Sequence, residues 1–510
     1  MKKIFCSVLL STLISFIWAD VCISIQFTGQ SLNDYINQEV TFSQTLYVCG
    51  RYKDIYDNNY LYLSYKRLQL PSEIALEGTA EYNTASQECE DGILRAYFSR
   101  VDVDTVRLGA TITNLSAKVI DDRYVTVLQN VLFDNNTRPT TCPSVGNARL
   151  RICSINLEYY CPEWEGTFSA ATSDEDYERQ HLKIMKAFNT IHADIYAVAE
   201  IQQGTTALRN IANGLNALTA PGRYWYVNDR DDITSTFTKV GYIYRTDRVR
   251  PILDLGHPFT KTQNFSAYYR EYVQCFEELS TNERFVLCMN HLTSKISDNE
   301  INTDSIRVVE ISQLNHFIEE KLSENYYQDS DILIVGDLNC ATKENPIIYM
   351  ENNNYQNMLA AFATDDYSYS YRSLTQYLDH VLASPSMSTQ ITGAVPYHLN
   401  ADESSNYYYS YGDTTMYRFS DHDPIIIGLT LGNHSDAISE KTIDPTAKVY
   451  VSNGCIIIEN SKVEPVTIYD ILGKEIQHYS KIQNCQIAIS QTGVYIVKIG
   501  ATTQKIVVQH

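Results

Sequence analysis

The sequence lacks three features that would each assign it to a familiar class of protein. No Cys-x-x-Cys pair occurs in its 510 residues, which argues against structural zinc sites built on paired cysteines. Beyond residue 20, no apolar run approaches the length of a membrane-spanning helix. Basic residues are scarce, with 40 Lys and Arg against 61 Asp and Glu and a net charge of −21. This balance argues against tight, purely electrostatic binding to nucleic acid, but leaves room for an enzyme that contacts a polyanion briefly.

The first residues of the chain have the pattern of a secretory signal peptide. Lys2 and Lys3 precede an apolar stretch over 8–18, and the small residue Ala19 follows it. A charged start, an apolar core and a small residue at the end are typical of a cleaved export signal. We therefore expect residues 1–19 to be removed and the protein to be exported.

The cysteines indicate disulfide bonds in an exported protein, since such bonds persist in oxidising compartments. Cys275 and Cys288 lie on either side of a predicted turn, and Cys455 and Cys485 lie on neighbouring predicted strands. The sequence favours these two pairings without fixing the connectivity.

Periodicity and composition divide the remaining chain into three folded parts. Residues 20–145 show short alternating strands and no helical period, which predicts a small all-β module of the oligonucleotide-binding (OB) barrel type, either a structural appendage or a ligand binder. Residues 146–432 alternate strands with helices, notably over 174–191 and 303–322, and predict mixed sheets with helices outside. Residues 433–447 are polar and irregular, as in a linker. Residues 448–510 are again all β and carry no catalytic-type polar cluster.

Polar residues cluster at the ends of the strands predicted in the central part. Four strands are followed by polar side chains, namely Asn156 and Glu158, Glu200, Asn290 and His291, and Asp337 and Asn339. Two later strands are preceded by them, at Asp379-His380 and at Asp421-His422-Asp423. If the last two strands run antiparallel to the first four, all these side chains meet at one edge.

This set of side chains has the parts that hydrolysis of a phosphate ester needs. Carboxylate and amide oxygens suit a hard cation such as Mg²⁺ or Mn²⁺. An acid can orient the attacking water, and histidines can donate to the developing charge on the phosphate. Taken singly, Glu200 could sit in an ion pair, His291 in the core and Asn156 in a turn. The repeated coincidence at strand ends favours the catalytic interpretation, as does the cost of three ionisable residues before a buried strand at 421–423.

The same residues resemble the endonuclease/exonuclease/phosphatase superfamily. The resemblance covers roughly residues 148–431 and is carried by the segments 156–158 (NLE), 193–200 (ADIYAVAE), 290–295 (NHLTSK), 336–339 (GDLN), 378–380 (LDH) and 420–424 (SDHDP). Within the superfamily, the segments 344–347 (ENPI), 367–371 (YSYSY) and 398–403 (HLNADE) resemble bacterial extracellular nucleases. The resemblance implies a four-layer α/β sandwich, in which two mixed β-sheets are flanked by helices, with one active site at the sheet edge.

It also implies a role for each residue at that edge. Asn156, Glu200 and Asp421 would hold the metal, which is Mg²⁺ or Mn²⁺, with Ca²⁺ as an alternative. Asp337 would activate or orient water with Asn339 beside it, and His422, supported by Asp379, would stabilise charge at the scissile group. His291 and Arg270 would contact the substrate phosphate. The sequence departs from the family at Ala199, where many members carry Gln.

The C-terminal part resembles the type A sorting domain of the type IX secretion system of Bacteroidota. The similar segments are 466–474 (VTIYDILGK), 493–498 (GVYIVK) and 505–508 (KIVV). This resemblance implies a β-sandwich that the type IX secretion machinery recognises and export to the extracellular space or outer cell surface. The lengths of the apolar runs predict no stable membrane span. The alternative is a generic β-sandwich that binds at a surface.

Three hypotheses follow for the function. The first is a secreted, metal-dependent phosphodiesterase, specifically an extracellular nuclease that hydrolyses DNA, with RNA as an alternative substrate. The second is a phosphoesterase of the same fold that acts on a lipid or an inositol phosphate. The third is a non-catalytic surface adhesin on a related scaffold.

Overall fold

A computed structural model describes residues 23–163, 169–227, 238–256, 270–295, 303–323, 330–406, 414–432, 447–452, 455–470, 474–489, 491–499 and 502–508. The predicted signal peptide and residues 433–446 of the predicted linker lie outside the described residues. The chain divides into two compact units, Met1–Gly432 and Asn433–His510. Among the helices in the described part, none is both long and apolar enough to cross a membrane.

The N-terminal part of the first unit is a closed β-barrel. Its strands are β1 (Ile23–Ile25), β2 (Glu39–Lys53), β3 (Asn59–Ser64), β4 (Leu94–Tyr97), β5 (Thr111–Asp121) and β6 (Tyr124–Val127). They pair in the order β1-β2-β3-β4-β6-β5, and β2 also pairs with β5, so that the ring closes. The 15-residue β2 reaches both neighbours because its register shifts between Phe42 and Thr45 and between Val48 and Gly50.

Two helices between β3 and β4 were not predicted, namely α1 (Pro71–Ile74) and α2 (Ala80–Asp91). In α2 the side chain of Thr79 caps the helix by accepting from Tyr82 N, but Ala85 is the one buried residue in it. A helix without an apolar stripe has no hydrophobic periodicity in its sequence, and so it cannot be predicted from that periodicity. Short 3₁₀ helices cover Asn33–Tyr35 and Val103–Thr105.

The rest of the first unit is built from two six-stranded sheets with helices. Its strands are β7 (Leu150–Tyr160), β8 (Ile195–Ile201), β9 (Tyr224–Tyr226), β10 (Lys239–Arg245), β11 (Val249–Gly256), β12 (Glu271–Glu278), β13 (Arg284–His291), β14 (Ile332–Asp337), β15 (Gln356–Asn357), β16 (Tyr369–Tyr371), β17 (Leu374–Gln376), β18 (Asp379–Ala383), β19 (Ile391–Pro396) and β20 (Ile425–Leu429). Its helices are α3 (Asp174–Ile191), α4 (Thr206–Leu218), α5 (Thr303–Ser323), α6 (Asn345–Asn352), α7 (Met358–Phe362) and α8 (Pro385–Ser388).

The two sheets face each other across a shared apolar cluster. The first has the order β19-β20-β7-β8-β10-β9, the second the order β11-β12-β13-β14-β18-β15, and β16 and β17 form a separate hairpin. Ile152 and Tyr242 of the first sheet share their cluster with Phe285 and Val335 of the second. Helices α3 and α4 pack with the other face of the first sheet, and α5 and α6 with the other face of the second. Burial of each large apolar side chain contributes about 2 kcal/mol. The predicted α/β class with mixed sheets is confirmed.

The strand directions bring the predicted polar residues to one end of both sheets. Strands β7 and β8 are parallel, as are β13 and β14. Strand β18 is antiparallel to β14, and β20 is antiparallel to β7. The ends of β8, β13 and β14 and the beginnings of β18 and β20 therefore lie on the same side, as the sequence predicted. Strand β7 differs from the prediction, because it continues to Tyr160 and carries Asn156 and Glu158 within it, where its register with β8 shifts.

The second unit is a sheet of five antiparallel strands. They are β21 (Ala447–Ser452), β22 (Cys455–Asp470), β23 (Glu475–Ala488), β24 (Gly493–Ile499) and β25 (Thr502–Val508). The order is β21-β22-β24-β25, and β23 also pairs with β22. Its core contains Ile458, Val466, Ile468 and Val497.

Neither predicted disulfide forms. Cys288 faces Val273 across β12 and β13, so it is two positions from Cys275. Cys485 faces Ile458 in β22, three positions from Cys455. Cys288, Cys455 and Cys485 are free thiols. The prediction failed because position relative to a turn does not fix the register, which decides which side chains meet.

Candidate active site

One row of side chains across the second sheet forms the base of the site. In the strand register His291 pairs with Asp337, and Asp337 pairs with Asp379. Gly336 makes this close pairing possible, because its φ is 126° and a Cβ there would lie 2.0 Å from Asn290 O. Only glycine fits such a position. The row thus places two carboxylates and an imidazole side by side at the end of β13 and β14.

The first sheet supplies Asn156 and Glu200 from the parallel strands β7 and β8. The chain after Asn156 turns through left-handed backbone at Glu158 (φ 47°) and Tyr159 (φ 55°), and Glu200 has the same conformation (φ 54°). This turn lets Glu158 N donate to Asn156 Oδ1 at 3.0 Å and Tyr159 N to Glu200 Oε2 at 3.1 Å. Such residues cost about 1 kcal/mol or more each and concentrate at functional sites.

The two halves of the site meet at the carboxylate of Asp337. Its Oδ2 accepts from Asn156 Nδ2 at 3.0 Å. The same oxygen lies 3.6 Å from His422 Nε2 and 3.8 Å from His291 Nε2. Its Oδ1 accepts from Asn339 N at 2.9 Å. Burial raises the pKa of Asp337, so this carboxylate is poised to take up a proton.

His422 is held by a carboxylate on one side and by an aromatic ring on another. Its Nδ1 lies 2.8 Å from Asp379 Oδ2. The ring centroid of Tyr369 lies 4.7 Å from that of His422. Burial alone would lower the pKa of His422, but the charges of Asp379, Asp337 and Asp421 raise it well above its ordinary value. His422 therefore presents a protonated Nε2 beside Asp337, as a group that stabilises anionic charge must.

His291 has the opposite electrostatic character. Its Nε2 lies 3.4 Å from Glu200 Oε1, and its backbone N donates to Arg270 O at 2.7 Å. Burial lowers the pKa of His291 to about 4, and the charges of Arg270 and His422 act in the same direction. A neutral His291 can donate one hydrogen bond to a substrate oxygen without competing with Asp337 for protons.

The carboxylates beside His291 have the donor chemistry of a site for a hard cation. Burial, followed by the charge of Asp421, raises the pKa of Glu200 to about 8 and that of Glu158 to about 7. Glu158 Oε2 is buried with no hydrogen-bond partner. A divalent cation would offset this repulsion and use the free oxygen. Among the described residues, no group of three His, Cys, Asp or Glu side chains is already arranged to bind a metal ion. The fit of these residues to a cation therefore rests on the chemistry of their oxygen atoms.

The structure brings together Asn156, Glu200, His291, Asp337, Asp379, Asp421 and His422. Arg270 adjoins the group through its backbone contact with His291 and through its charge. Asn339 differs from the expectation in its side chain, because Nδ2 donates to Leu292 O at 3.0 Å. Its backbone N–H, and not its amide group, supports Asp337.

Two residues of the site were given no role from the sequence. Glu158 follows Asn156 by two positions, a spacing that puts both on one face of a strand, and that signal could have included it. Tyr369 lies in a short hairpin that separates it from the catalytic strands by sequence, and only the fold places its ring against His422.

The segment 398–403, which resembles nuclease sequences, contacts the barrel. Arg107 pairs with Asp402 at 3.0 Å and with Glu403 at 2.8 Å. Arg138 adds a bidentate pair to Glu403 at 3.0 and 2.8 Å. The three carboxylate oxygens in these pairs belong to Asp402 and Glu403, whose side chains are nearly buried. These ion pairs join the barrel to the sheets.

His398 in that segment has a structural position. Its Nδ1 lies 2.8 Å from Asp423 Oδ2 and its Nε2 lies 2.9 Å from Asp366 Oδ1. Asp423 Oδ1 accepts from Asn400 N at 2.7 Å. Asn400 Nδ2 in turn donates to His422 O at 2.6 Å. The segment therefore supports the loop that carries His422.

No protein-family model matches the chain, and no curated protein matches it. Solved structures similar to part of it include an endonuclease/exonuclease/phosphatase family protein from Bacteroides thetaiotaomicron, with 14% identity, a TM-score of 0.38, and coverage of 56% of this chain and 96% of that one. A mannosyl-6-phosphatase of the same organism has 15% identity, a TM-score of 0.37, and coverage of 55% and 99%. The human Nocturnin catalytic domain has 12% identity, a TM-score of 0.40, and coverage of 56% and 94%. The functional assignment therefore rests on the geometry of the site.

Proposed function

We propose that the protein is a metal-dependent phosphodiesterase of the endonuclease/exonuclease/phosphatase superfamily, and specifically an extracellular nuclease. The observation that carries this proposal is the sharing of Asp337 Oδ2 by Asn156 Nδ2 at 3.0 Å and by His422 Nε2 at 3.6 Å, with Asp379 behind His422 at 2.8 Å. In such a pair, the carboxylate can orient and deprotonate the attacking water on one side of a phosphate, and the protonated histidine can stabilise the negative charge of the phosphate on the other side.

The chemistry divides among the side chains of the site. A phosphodiester between His291 and His422 receives hydrogen bonds on its non-bridging oxygens. A water at Asp337 gives its proton to the carboxylate as its oxygen attacks phosphorus. The bond to the leaving oxygen then breaks, and that oxygen takes up a proton from solvent. Mg²⁺ or Mn²⁺, with Ca²⁺ as an alternative, would be held by Asn156, Glu200 and Asp421 and would supply positive charge to the phosphate and the leaving oxygen.

The architecture supports the same proposal. Two sheets with helices on their outer faces support the proposed four-layer α/β sandwich, and the ring β2-β3-β4-β6-β5 supports the proposed OB-type barrel. An OB-type barrel suits a nucleic acid substrate, DNA first and RNA as an alternative, better than a lipid or an inositol phosphate. The clustering of the proposed catalytic side chains argues against a non-catalytic adhesin.

The location of the protein is part of the proposal. The N-terminal pattern of residues 1–19 suits an export signal. The five-stranded C-terminal unit suits a domain for the type IX secretion machinery, with release or display at the outer surface. The domain boundaries after residues 145, 432 and 447 are part of the same proposal.

Incubation of the purified protein with plasmid DNA and Mg²⁺, beside Asp337→Ala, tests the function. We expect the wild type to cut the plasmid and Asp337→Ala to lose cleavage while it keeps its circular dichroism spectrum. Asp34→Ala, an exposed acid of the barrel, is the matched control and should cut normally. Equal cleavage by wild type and Asp337→Ala would refute the site. Turnover of a phospholipid or inositol phosphate without cleavage of DNA or RNA would support the second hypothesis.

A further inference from the structure

A cavity of about 460 Å³ lies where the barrel meets the β16–β17 hairpin. Strand β2 lines it with Gly50, Arg51 and Lys53, and the hairpin lines it with Arg372 and Ser373. The two elements touch closely, because a Cβ on Gly50 would lie 2.2 Å from Ser373 Oγ. We call this space the barrel–hairpin cavity. It is separate from the row of catalytic side chains.

Three arginines line the barrel–hairpin cavity and bring positive charge to it. They are Arg51, Arg372 and Arg418. Within the described ranges, no carboxylate is in ion-pair distance of any of the three. Arg51 donates to two backbone carbonyls and Arg418 to one, which orients these groups but leaves their charge in place. Burial lowers the pKa of Arg51 to about 10, and the charge of Arg418 acts in the same direction, against the opposing charges of Glu403, Asp402 and Asp104.

The acids that line the same cavity are already paired. Asp104 lies 2.5 Å from Lys53 and accepts from Ser404 Oγ at 2.6 Å. Glu403 is held by Arg107 and Arg138 from outside the cavity. The balance at the cavity is therefore positive, although the chain as a whole has a net charge of −21. A local positive potential in a concave surface concentrates anions.

The barrel–hairpin cavity is connected to the catalytic site through the hairpin. Tyr369, whose ring packs on His422, lies three residues before Arg372. Arg372 (φ 49°), Ser373 (φ 69°) and Arg418 (φ 55°) all have left-handed backbone. Three strained residues that line one cavity indicate a conformation retained for binding.

Exposed aromatic rings accompany the arginines. Tyr52 of β2 is 44% exposed and Tyr371 of the hairpin is 46% exposed. The guanidinium of Arg372 lies 5.2 Å from the Tyr371 ring centroid. Aromatic faces beside arginines are the arrangement that holds unpaired bases and their phosphates.

We propose that the barrel–hairpin cavity binds phosphate groups of a single-stranded nucleic acid whose scissile phosphodiester lies at Asp337 and His422. This inference rests on the proposed function and extends it to the form of the substrate. Arg51, Arg372 and Arg418 contact the phosphates that flank the scissile one, and Tyr52 and Tyr371 stack with unpaired bases.

Binding and cleavage can be measured separately. Fluorescence anisotropy with a labelled oligodeoxythymidylate of about twelve nucleotides gives Kd in an Asp337→Ala background, in which the strand is not cut. We expect Arg372→Gln, an exposed position, to raise Kd about fivefold and to reduce the slope of log Kd against log salt concentration by about 0.7. Arg209→Gln, also at an exposed position, on α4, is the matched control and should change neither quantity.

Kinetics in the wild-type background distinguishes the two proposals. For Arg372→Gln, the ratio of kcat/KM on the oligonucleotide to kcat/KM on bis(para-nitrophenyl) phosphate should fall about fivefold. If the wild type cleaves the oligonucleotide but Arg372→Gln changes neither the ratio, nor Kd, nor the salt slope, the proposed role of the cavity is wrong and the proposed nuclease function stands. Binding that depends on Arg372 without cleavage of any nucleic acid would support the cavity and refute the proposed function. Equal affinity for duplex and single-stranded DNA would overturn the assignment to a single strand.

Discussion

Glu73, on the short helix α1, accepts a hydrogen bond from the backbone N–H of Tyr377 at 2.9 Å through Oε1. Its other oxygen accepts from Thr342 N at 3.3 Å. Tyr377 lies two residues before Asp379, and Thr342 lies three residues after Asn339. One carboxyl group of the N-terminal part therefore anchors both loops that flank the catalytic row.

Replacement of Glu73 by alanine should lower the free energy of unfolding by about 2 kcal/mol, because two backbone donors lose their acceptor. We also expect kcat to fall more than KM rises, since Glu73 is a positioning residue for the loops of Asp379 and Asn339. Chemical denaturation and steady-state kinetics measure these effects. Glu77→Ala, exposed in the same segment, is the control, and equal effects of the two substitutions would contradict the positioning role.

Asp379→Asn should lower kcat about a hundredfold or more, because His422 Nδ1 loses the carboxylate at 2.8 Å that orients and charges its ring. The fold should persist, since the two side chains have nearly the same shape. Asp331→Asn, a buried acid directly before β14 that accepts from Gln390 Nε2 at 2.7 Å, controls for the loss of a buried charge. An Asp379→Asn enzyme with normal kcat would remove Asp379 from the site.

Removal of divalent cations with EDTA should abolish cleavage, and addition of Mg²⁺ to the stripped protein should raise its Tm. A ligand that binds only the folded state stabilises it by mass action, and here it would also offset the repulsion among Glu200, Glu158 and Asp421. Differential scanning calorimetry measures the change in Tm. Glu200→Gln should lose most of the rise, whereas the exposed control Glu351→Gln should keep it. A full rise in Glu200→Gln would place the cation elsewhere.

Stability should decrease as the pH falls from about 6.5 to about 4, partly through His380. Burial lowers the pKa of this histidine to about 4, although its Nε2 contacts Cys340 O at 2.7 Å. The unfolded chain, with a pKa near 6.5, takes up the proton first, so the contribution of neutral His380 is complete above pH about 6.5 and is lost toward pH about 4.

The size of the His380 effect can be isolated by difference. A pKa lower by about 2.5 in the folded state corresponds to about 3 kcal/mol. Urea denaturation across this pH range should show a smaller decrease for His380→Gln than for the wild type, by about that amount. His316→Gln, an exposed histidine of α5, is the control. The same pH dependence in wild type and His380→Gln would show that His380 does not contribute.

Elements with strong local signals could be predicted from the sequence. Helix α3 covers 174–191, as predicted, because Ser173 caps it by accepting from Asp176 N at 3.1 Å and His192 ends it in left-handed backbone. The residues at the strand ends were also found, because apolar runs that end in acids, amides and histidines remain visible without knowledge of the fold. What those runs could not show was that Asn339 turns its amide group toward Leu292.

Features that depend on partners distant in sequence could not be predicted. Arg107 and Asp402 are 295 residues apart, and nothing local in 398–403 indicates a contact with the barrel. The cysteine pairings failed for the same reason, since the register of β12 with β13 is set by the whole strands. Helix α2 was not predicted, because its surface is polar and its stability comes from its cap and from neighbouring elements.

The ion pairs of Arg107 and Arg138 with Asp402 and Glu403 have a consequence for how this molecule can be divided. Loss of the barrel would leave these carboxylates unpaired on the remaining part, and an uncompensated buried charge costs several kcal/mol. The barrel and the two sheets therefore depend on each other for stability, as the subunits of an obligate dimer do, although one chain forms both. We therefore expect them to unfold in a single cooperative transition, and we expect a fragment that begins at residue 146 to be unstable, because it lacks the arginines that pair with Asp402 and Glu403.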